Sequence, residues 1–238
     1  MLWRRRAIGM REGAGAEVRR LFPTFDARPH DPFVLLDEFT VTPPAAFPEH
    51  AHQGFEAVTY LLEGAFRHRD SLGNDSVVGT GGAQRFTAGR GIRHAEEPVG
   101  GTARGLQLWV VLPLALRGCE PSYQAVAHLS WEECEGGERC WIVGGSSPLQ
   151  LRTPVEYVLF RLRPGAQIVH PIPKGWNGFA YVLAGTGSIN GQLVRRGDGV
   201  LVQDERHFHC RAAEEMQLVV ACGQPWREPI RLYGGAVL

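Results

Sequence analysis

The chain has 238 residues, enough for one large or two modest domains, and 44% hydrophobic against 21% charged residues is the balance of a globular protein that buries a core. Its 25 Lys and Arg offset its 25 Asp and Glu, which argues against a mainly electrostatic hold on nucleic acid or an anionic membrane. The longest apolar run, near 106–116, is shorter than the roughly 20 residues that span a bilayer.

The opening MLWRRRAIGMREG lacks the apolar core of a secretory signal. The five cysteines (Cys119, Cys134, Cys140, Cys210, Cys222) include no CxxC pair and read as reduced thiols, so the expected location is cytoplasmic. Short apolar runs broken by Gly, Pro and Asn/Asp then follow. Those at 57–64, 105–112, 155–165, 178–187, 198–203 and 216–223 have strand length and strand composition. Within GLQLWVVL, the alternation puts Leu106, Leu108, Val110 and Leu112 on one face, with Trp109 on the other. The one helical candidate is 122–134, SYQAVAHLSWEEC. Many short strands with turn signals predict an all-β sandwich or barrel.

The chain also repeats. YLLEG (60–64) matches YVLAG (181–185), and Gly82 matches Gly197. Two copies of one β-domain are therefore expected, divided as 1–125 and 126–238, with a short helix between or beside them.

Two histidines stand as His50-Ala51-His52, and His94 and Glu96 share the same i, i+2 spacing. On strands, each pair points to one face. Brought together on neighbouring strands, they offer three imidazole nitrogens and one carboxylate. That set suits Fe(II), Mn, Co, Ni or Cu(II), and it leaves open positions on a six-coordinate ion. Aligning the repeat on its two anchors places Pro171 and Pro173 opposite His50 and His52, and His209 and Arg211 opposite His94 and Glu96. On that alignment the second copy lacks the ligand set. His170, His207 and His209 read as structural. Asp70, in HRDSLGN, reads as a turn hydrogen-bonder, and Arg90 as a loop residue.

These residues resemble the pirin family of the cupin superfamily. The resemblance lies in LLDEF (35–39), FPEHAHQGFEAVTYLLEG (47–64), HRDSLGN (68–74), TAGRGIRHAE (87–96), GLQLWV (105–110), PIPKGWNGFAYVLAG (171–185) and PWREPI (225–230). It implies a bicupin of two face-to-face antiparallel jelly-roll barrels, with one metal in the N-terminal barrel and none in the C-terminal one. By motif position the ligands are His50, His52, His94 and Glu96. The expected metal is iron(II), with nickel, cobalt, manganese, copper or zinc as alternatives. The implied activity is cleavage of a flavonol such as quercetin by O₂, with Glu96 as the base that takes the substrate proton. The alternative is a metal- or redox-sensing regulator that meets a protein partner without turnover. A monomer that binds neither nucleic acid nor membrane is expected in both cases. Glu56, at the general cupin-motif position, is expected beside the site rather than in it. Val111 and Arg85-Phe86 depart from the family pattern at positions that could border the pocket.

Overall fold

The computed structural model describes all 238 residues, and strands dominate it. In chain order they begin with β1 (Leu2–Arg6), β2 (Ile8–Glu12), β3 (Ala16–Phe22), β4 (Phe33–Val41), β5 (Phe47–His52) and β6 (Phe55–Glu63). Next come β7 (Ala65–Asp70), β8 (Asp75–Gly79), β9 (Ala83–Thr87), β10 (Ile92–Pro98), β11 (Ala103–Val111) and β12 (Ser122–Val126). The second half holds β13 (Trp131–Cys134), β14 (Gly137–Val143), β15 (Val155–Leu162), β16 (Gln167–Pro171), β17 (Asn177–Ala184) and β18 (Thr186–Ile189). It continues with β19 (Gln192–Arg195), β20 (Asp198–Gln203), β21 (His207–Ala212) and β22 (Met216–Gly223), and a hairpin of β23 (Leu232–Tyr233) and β24 (Ala236–Val237) closes the chain. No helix is long and apolar enough to cross a membrane.

The chain forms two compact units, each drawing on both halves. One comprises Ile8–Leu129, Leu151–Thr153 and Trp226–Leu238; the other comprises Met1–Ala7, Ser130–Gln150 and Pro154–Pro225. Both have the same arrangement of strands, except that the edge strand beside β9 follows β11 in the chain whereas the one beside β20 is β1, from the chain's start. The first pairs a seven-stranded sheet, β12-β9-β6-β11-β4-β3-β2, with a four-stranded sheet, β5-β10-β7-β8. The second pairs β1-β20-β17-β22-β15-β14-β13 with β16-β21-β18-β19. Apart from that edge strand the orders coincide, so the internal repeat is a duplicated all-β jelly roll. The matching glycines that end β6 and β17, Gly64 and Gly185, both have φ near the left-handed region, 76° and 79°, which suits glycine at a sharp turn.

Core packing follows the alternation. Leu106, Leu108 and Val110 on β11, and Leu112 just beyond it, are fully buried. On the other face, Trp109 and Val111 join Leu35, Phe55, Phe86 and Ile92 in an apolar cluster of the first unit. In the second unit, β15, β17, β20, β21 and β22 contribute the matching cluster, including Phe160, Val182, Val200, Phe208 and Leu218.

The expected helix over 122–134 is absent. That segment is split between β12, which pairs with β9, and β13, which turns back into β14. Sheet pairing overrides the weak helical pattern: Tyr123 lies opposite Phe86 on the edge of the large sheet, where its ring and hydroxyl find partners. The only helical piece is a single 3₁₀ turn at Leu114–Leu116.

The pairing registers also correct the alignment of the two copies. In the first unit, Glu96 lies opposite His68, and His94 opposite His50. In the second, Cys210 lies opposite Ile189, and Phe208 opposite His170. Ile189 follows Gly185 at the same interval at which His68 follows Gly64. The counterparts of His50, His52, His94 and Glu96 are therefore His170, Ile172, Phe208 and Cys210. His209 and Arg211 are the exposed residues that alternate with Phe208 and Cys210 on the strand. A one-residue slip moves every side chain to the other face of a strand. Two length changes produce the slips: one residue more between His170 and Trp176 than between His50 and Phe55, and one residue fewer between Gly197 and Phe208 than between Gly82 and His94.

Candidate metal centre

Three histidines converge at the junction of β5 and β10. His50 and His52 face the same way because they are two residues apart on a strand, and His94 lies directly across from His50. Ring centroids are 4.5 Å apart for His50–His52, 4.5 Å for His50–His94 and 4.9 Å for His52–His94. One ring nitrogen from each of the three lies within 4.8 Å of the others, and Nε2 of His94 is 3.1 Å from Nε2 of His50.

Two of the rings are oriented from behind by main-chain carbonyls. His50 Nδ1 lies 2.7 Å from the Pro48 oxygen, and His52 Nδ1 lies 2.9 Å from the Gly235 oxygen. A carbonyl only accepts, so each Nδ1 must donate, which leaves a lone pair on each Nε2. Gly235 belongs to the terminal hairpin, and a Cβ there would sit 2.8 Å from His52 Nδ1. Phe86 stacks on His52 at 5.5 Å and 10°, and Trp109 meets it edge-on at 4.9 Å. Phe86 therefore borders the site as anticipated. Arg85 turns away to Ser122, and Val111 stays in the apolar core.

Glu96 sits in a second group with His68 and His94. A bulge between His94 and Glu96 shifts its register to Phe47. Its two carboxylate oxygens receive separate amides: Gln84 Nε2 at 2.7 Å and Gln107 Nε2 at 3.3 Å. Each amide is oriented in turn, because the Tyr123 hydroxyl donates to Gln84 Oε1 and Trp109 Nε1–H donates to Gln107 Oε1. Gln84, Thr59, Gln107, Asp37 and Arg20 face one another across successive strands, forming a polar row under the site.

A cavity of about 500 Å³ opens onto His50 and His52, with Trp109, Gln107, Leu35 and Asp37 in its wall. Asp37 is held by a bidentate pair with Arg20, at 2.8 and 2.7 Å. The other singled-out residues lie elsewhere. Glu56 is wholly buried and accepts from Thr87 Oγ1 and from the Arg152 and Thr153 amides, so it ties 151–153 into the unit. Arg90 forms a surface pair with Glu120. Asp70 Oδ1 accepts from the Leu72 and Asn74 amides, as its turn role requires.

The structure also brings in His68, which the sequence pattern did not single out. It is fully buried and stacked on Tyr123 at 4.4 Å. Its alternation with Phe66 on β7 was the available signal, because both face inward.

Burial sets the electrostatics. Desolvation, reinforced by the His50 ring, pushes His52 down to about 4. Desolvation likewise pushes His94 down to about 3. Burial opposes ionisation of Glu96, but the His68 hydrogen bond and the surrounding imidazoles outweigh it and hold the carboxyl at about 2. The resulting set is neutral nitrogen donors beside a carboxylate, with no thiolate in either group. That donor set fits a divalent transition metal.

A pH dependence follows for the metal-free protein. The unfolded chain protonates its histidines near 6.5, whereas folded His52 and His94 resist until about 4 and 3. Their contribution to stability is intact above about 6.5 and is lost as pH falls below it. Glu96 adds stability above its unfolded value of 4.5, and this is lost on descent toward about 2. Urea melts of metal-free protein from pH 8 to 4 should show falling midpoints below 6.5, and a flat profile would contradict these shifts. Protons also displace metal from these two rings at lower pH than an unshifted imidazole would imply.

Comparison with known proteins agrees with the fold. The pirin family model matches residues 15–110, and the model for the pirin C-terminal cupin domain matches 157–238. A pirin-like protein of Solanum lycopersicum is 38% identical, with 98% of this chain and 84% of that one covered. A solved structure of quercetin 2,3-dioxygenase from Acinetobacter baumannii superposes with TM-score 0.90 at 27% identity, covering 99% of this chain and 90% of that one. The bacterial pirin YhhW from Escherichia coli, solved in complex with nickel(II), superposes with TM-score 0.79 at 22% identity, covering 94% and 99%.

Proposed function

The chain belongs to the pirin family, a bicupin lineage, and from that premise we propose that it is a metal-dependent dioxygenase opening flavonols such as quercetin with O₂. The observation that carries the proposal is the convergence of His50, His52 and His94 on the wall of a cavity large enough for a fused aromatic ligand. These three residues, with Glu96, would hold one divalent metal in the unit built mainly from Ile8–Leu129, and the second unit would hold none. Iron(II) is the proposed ion on the strength of the family resemblance; the nitrogen and oxygen donors gathered here are compatible with it, as they are with nickel, cobalt, manganese or copper. The metal, when bound, supplies Lewis acidity and redox contact between substrate and O₂.

The protein's own groups do the rest. Trp109 and Leu35 give the aromatic ligand an apolar wall. Glu96 is ionised at neutral pH and accepts the proton of the substrate hydroxyl. Gln84 and Gln107 hold its two oxygens in place while it does so. Both atoms of O₂ enter the ring-opened ester, and one substrate carbon leaves as CO.

The test is quercetin loss and oxygen uptake by iron-loaded protein, beside Glu96→Gln. The variant should keep its metal within a few-fold while turnover drops by about 10²–10⁴. Stoichiometric metal with no oxygen uptake in the parent protein would remove the dioxygenase reading and leave the regulator. Equal loss of metal and turnover in the variant would make Glu96 a ligand only.

A further inference from the structure

We propose that the wall of the cavity beyond Trp109 is a subsite for a neutral aromatic hydroxyl, and that Asp37 is the acceptor that selects ligands carrying one. The proposal rests on the reading of that cavity as the seat of an aromatic substrate, and it narrows the class of substrate.

The cavity changes character along its wall. Trp109 meets His52 edge-on and pairs with Leu35 on the next strand, so the wall beside the histidines is apolar. Two residues along the same strands, Gln107 pairs with Asp37, and Asp37 with Arg20, so the wall turns polar there. At ordinary strand spacings Asp37 stands roughly 8 Å from Trp109. A planar ligand of two or three rings lying against Trp109 reaches it.

The fold does not require this polar stretch. Followed from the matching Gly64 and Gly185 through the pairing registers, Gln107, Asp37 and Arg20 correspond to Val220, Val158 and Trp141 in the second unit. There the same positions pack into the apolar core. A buried ion pair is often no more stabilising than apolar groups of similar volume. Stability alone therefore does not account for Asp37 and Arg20, and their place on a cavity wall offers another reason.

Asp37 has acceptor capacity to spare. It is buried, and its two oxygens each take one hydrogen bond, from Arg20 Nε at 2.8 Å and Nη2 at 2.7 Å. A carboxylate offers about four lone-pair sites, so each oxygen can accept again. Arg20 is more fully engaged, because its Nη1 turns to Glu12 at 2.9 Å. The cavity is lined by the carboxylates of Glu12, Asp37 and Glu49 against the single guanidinium of Arg20, which is held between two of them. Such a wall accepts a hydrogen bond from a phenol and repels a carboxylate or sulfonate.

Absorbance titration of iron(II)-loaded protein under nitrogen tests the subsite. The probes are 3-hydroxyflavone, which has no hydroxyl on either outer ring, and quercetin, which has hydroxyls on both. Quercetin should bind about 10–100-fold more tightly, the worth of a hydrogen bond to a charged acceptor. Quercetin 5′-sulfonate should bind no more tightly than quercetin. The double variant Asp37→Leu with Arg20→Met replaces the pair by apolar side chains, as the second unit does, and should bind quercetin and 3-hydroxyflavone alike. The comparison in the parent protein stands even if the double variant fails to fold. Equal affinities in the parent would overturn the proposal. So would a preference that survives the double variant, or a sulfonate that binds more tightly than quercetin. Preferred binding of quercetin without its consumption once air is admitted would support the subsite while removing the dioxygenase reading. Consumption of both flavonols, bound with equal affinity, would overturn the subsite and leave that reading. Failure of both flavonols to bind would overturn both.

Discussion

His94→Ala should abolish stoichiometric metal binding, with an affinity loss beyond the ~10–100-fold typical of an outer partner. His94 is the one residue common to both groups of potential ligands. It is buried, it lies opposite His50 on the paired strand, and its ring stands 4.8 Å from Phe86, so no water-filled space offers a substitute ligand. His50→Ala should cost less, because His50 is half-exposed at the cavity mouth and solvent can replace it. Metal content after dialysis and a chelator competition decide the matter. A His94→Ala protein that retains one tightly held ion would place the metal elsewhere. The same variant should flatten the acid-side loss of stability, since it removes a ring that refuses its proton until about 3.

Glu56→Ala should lower stability more than any of the histidine substitutions, by about 3–5 kcal/mol from the buried donors it leaves without an acceptor, without touching the metal. Three donors converge on this carboxylate: Thr87 Oγ1 at 2.8 Å, the Arg152 amide at 2.8 Å and the Thr153 amide at 3.1 Å. Each would lose its partner in a buried place, at about 1–3 kcal/mol per group. Burial pushes Glu56 up from the ordinary carboxylate range despite these donors. Thr153 is held a second time through its hydroxyl to the Val111 carbonyl, so part of the segment's docking survives. Differential scanning calorimetry should show the transition lowered by about 6–20 °C. Glu56→Gln keeps one acceptor and should fall between. A Glu56→Ala protein that melts like the parent would mean that the donors find other partners.

Much of this was legible because strand periodicity is a local property. The i, i+2 spacing in His50-Ala51-His52 and His94-Ala95-Glu96 is enough to put each pair on one face, and the glycines after β6 and β17 mark the repeat. Register between distant strands is not local. It places His94 across from His50, and it puts Phe208 and Cys210, rather than His209 and Arg211, at the positions of His94 and Glu96. The clamp on Glu96 was hidden for the same reason: Gln84, Gln107 and Tyr123 come from three strands and carry no shared spacing. His68 lay inside a segment whose turn residues are the stronger local signal and point to its surface end. The helix expected at 122–134 failed because an edge position in a sheet outweighs a few residues of helical pattern.

The first strand has a consequence for the order of events during synthesis. β1 hydrogen-bonds to β20, with Arg4 across from Val200, and both Arg4 and Arg6 reach the sealed carboxylate of Asp198. At a ribosomal pace of ~5–20 residues per second, the opening residues wait ~10–40 s for that partner to be made. Until then the arginine-rich β1 segment has no partner strand, and His52, made early, waits longer still for the Gly235 carbonyl that orients it. Charge on the waiting strand, in Arg4-Arg5-Arg6, disfavours pairing with the wrong sheet edge during that interval.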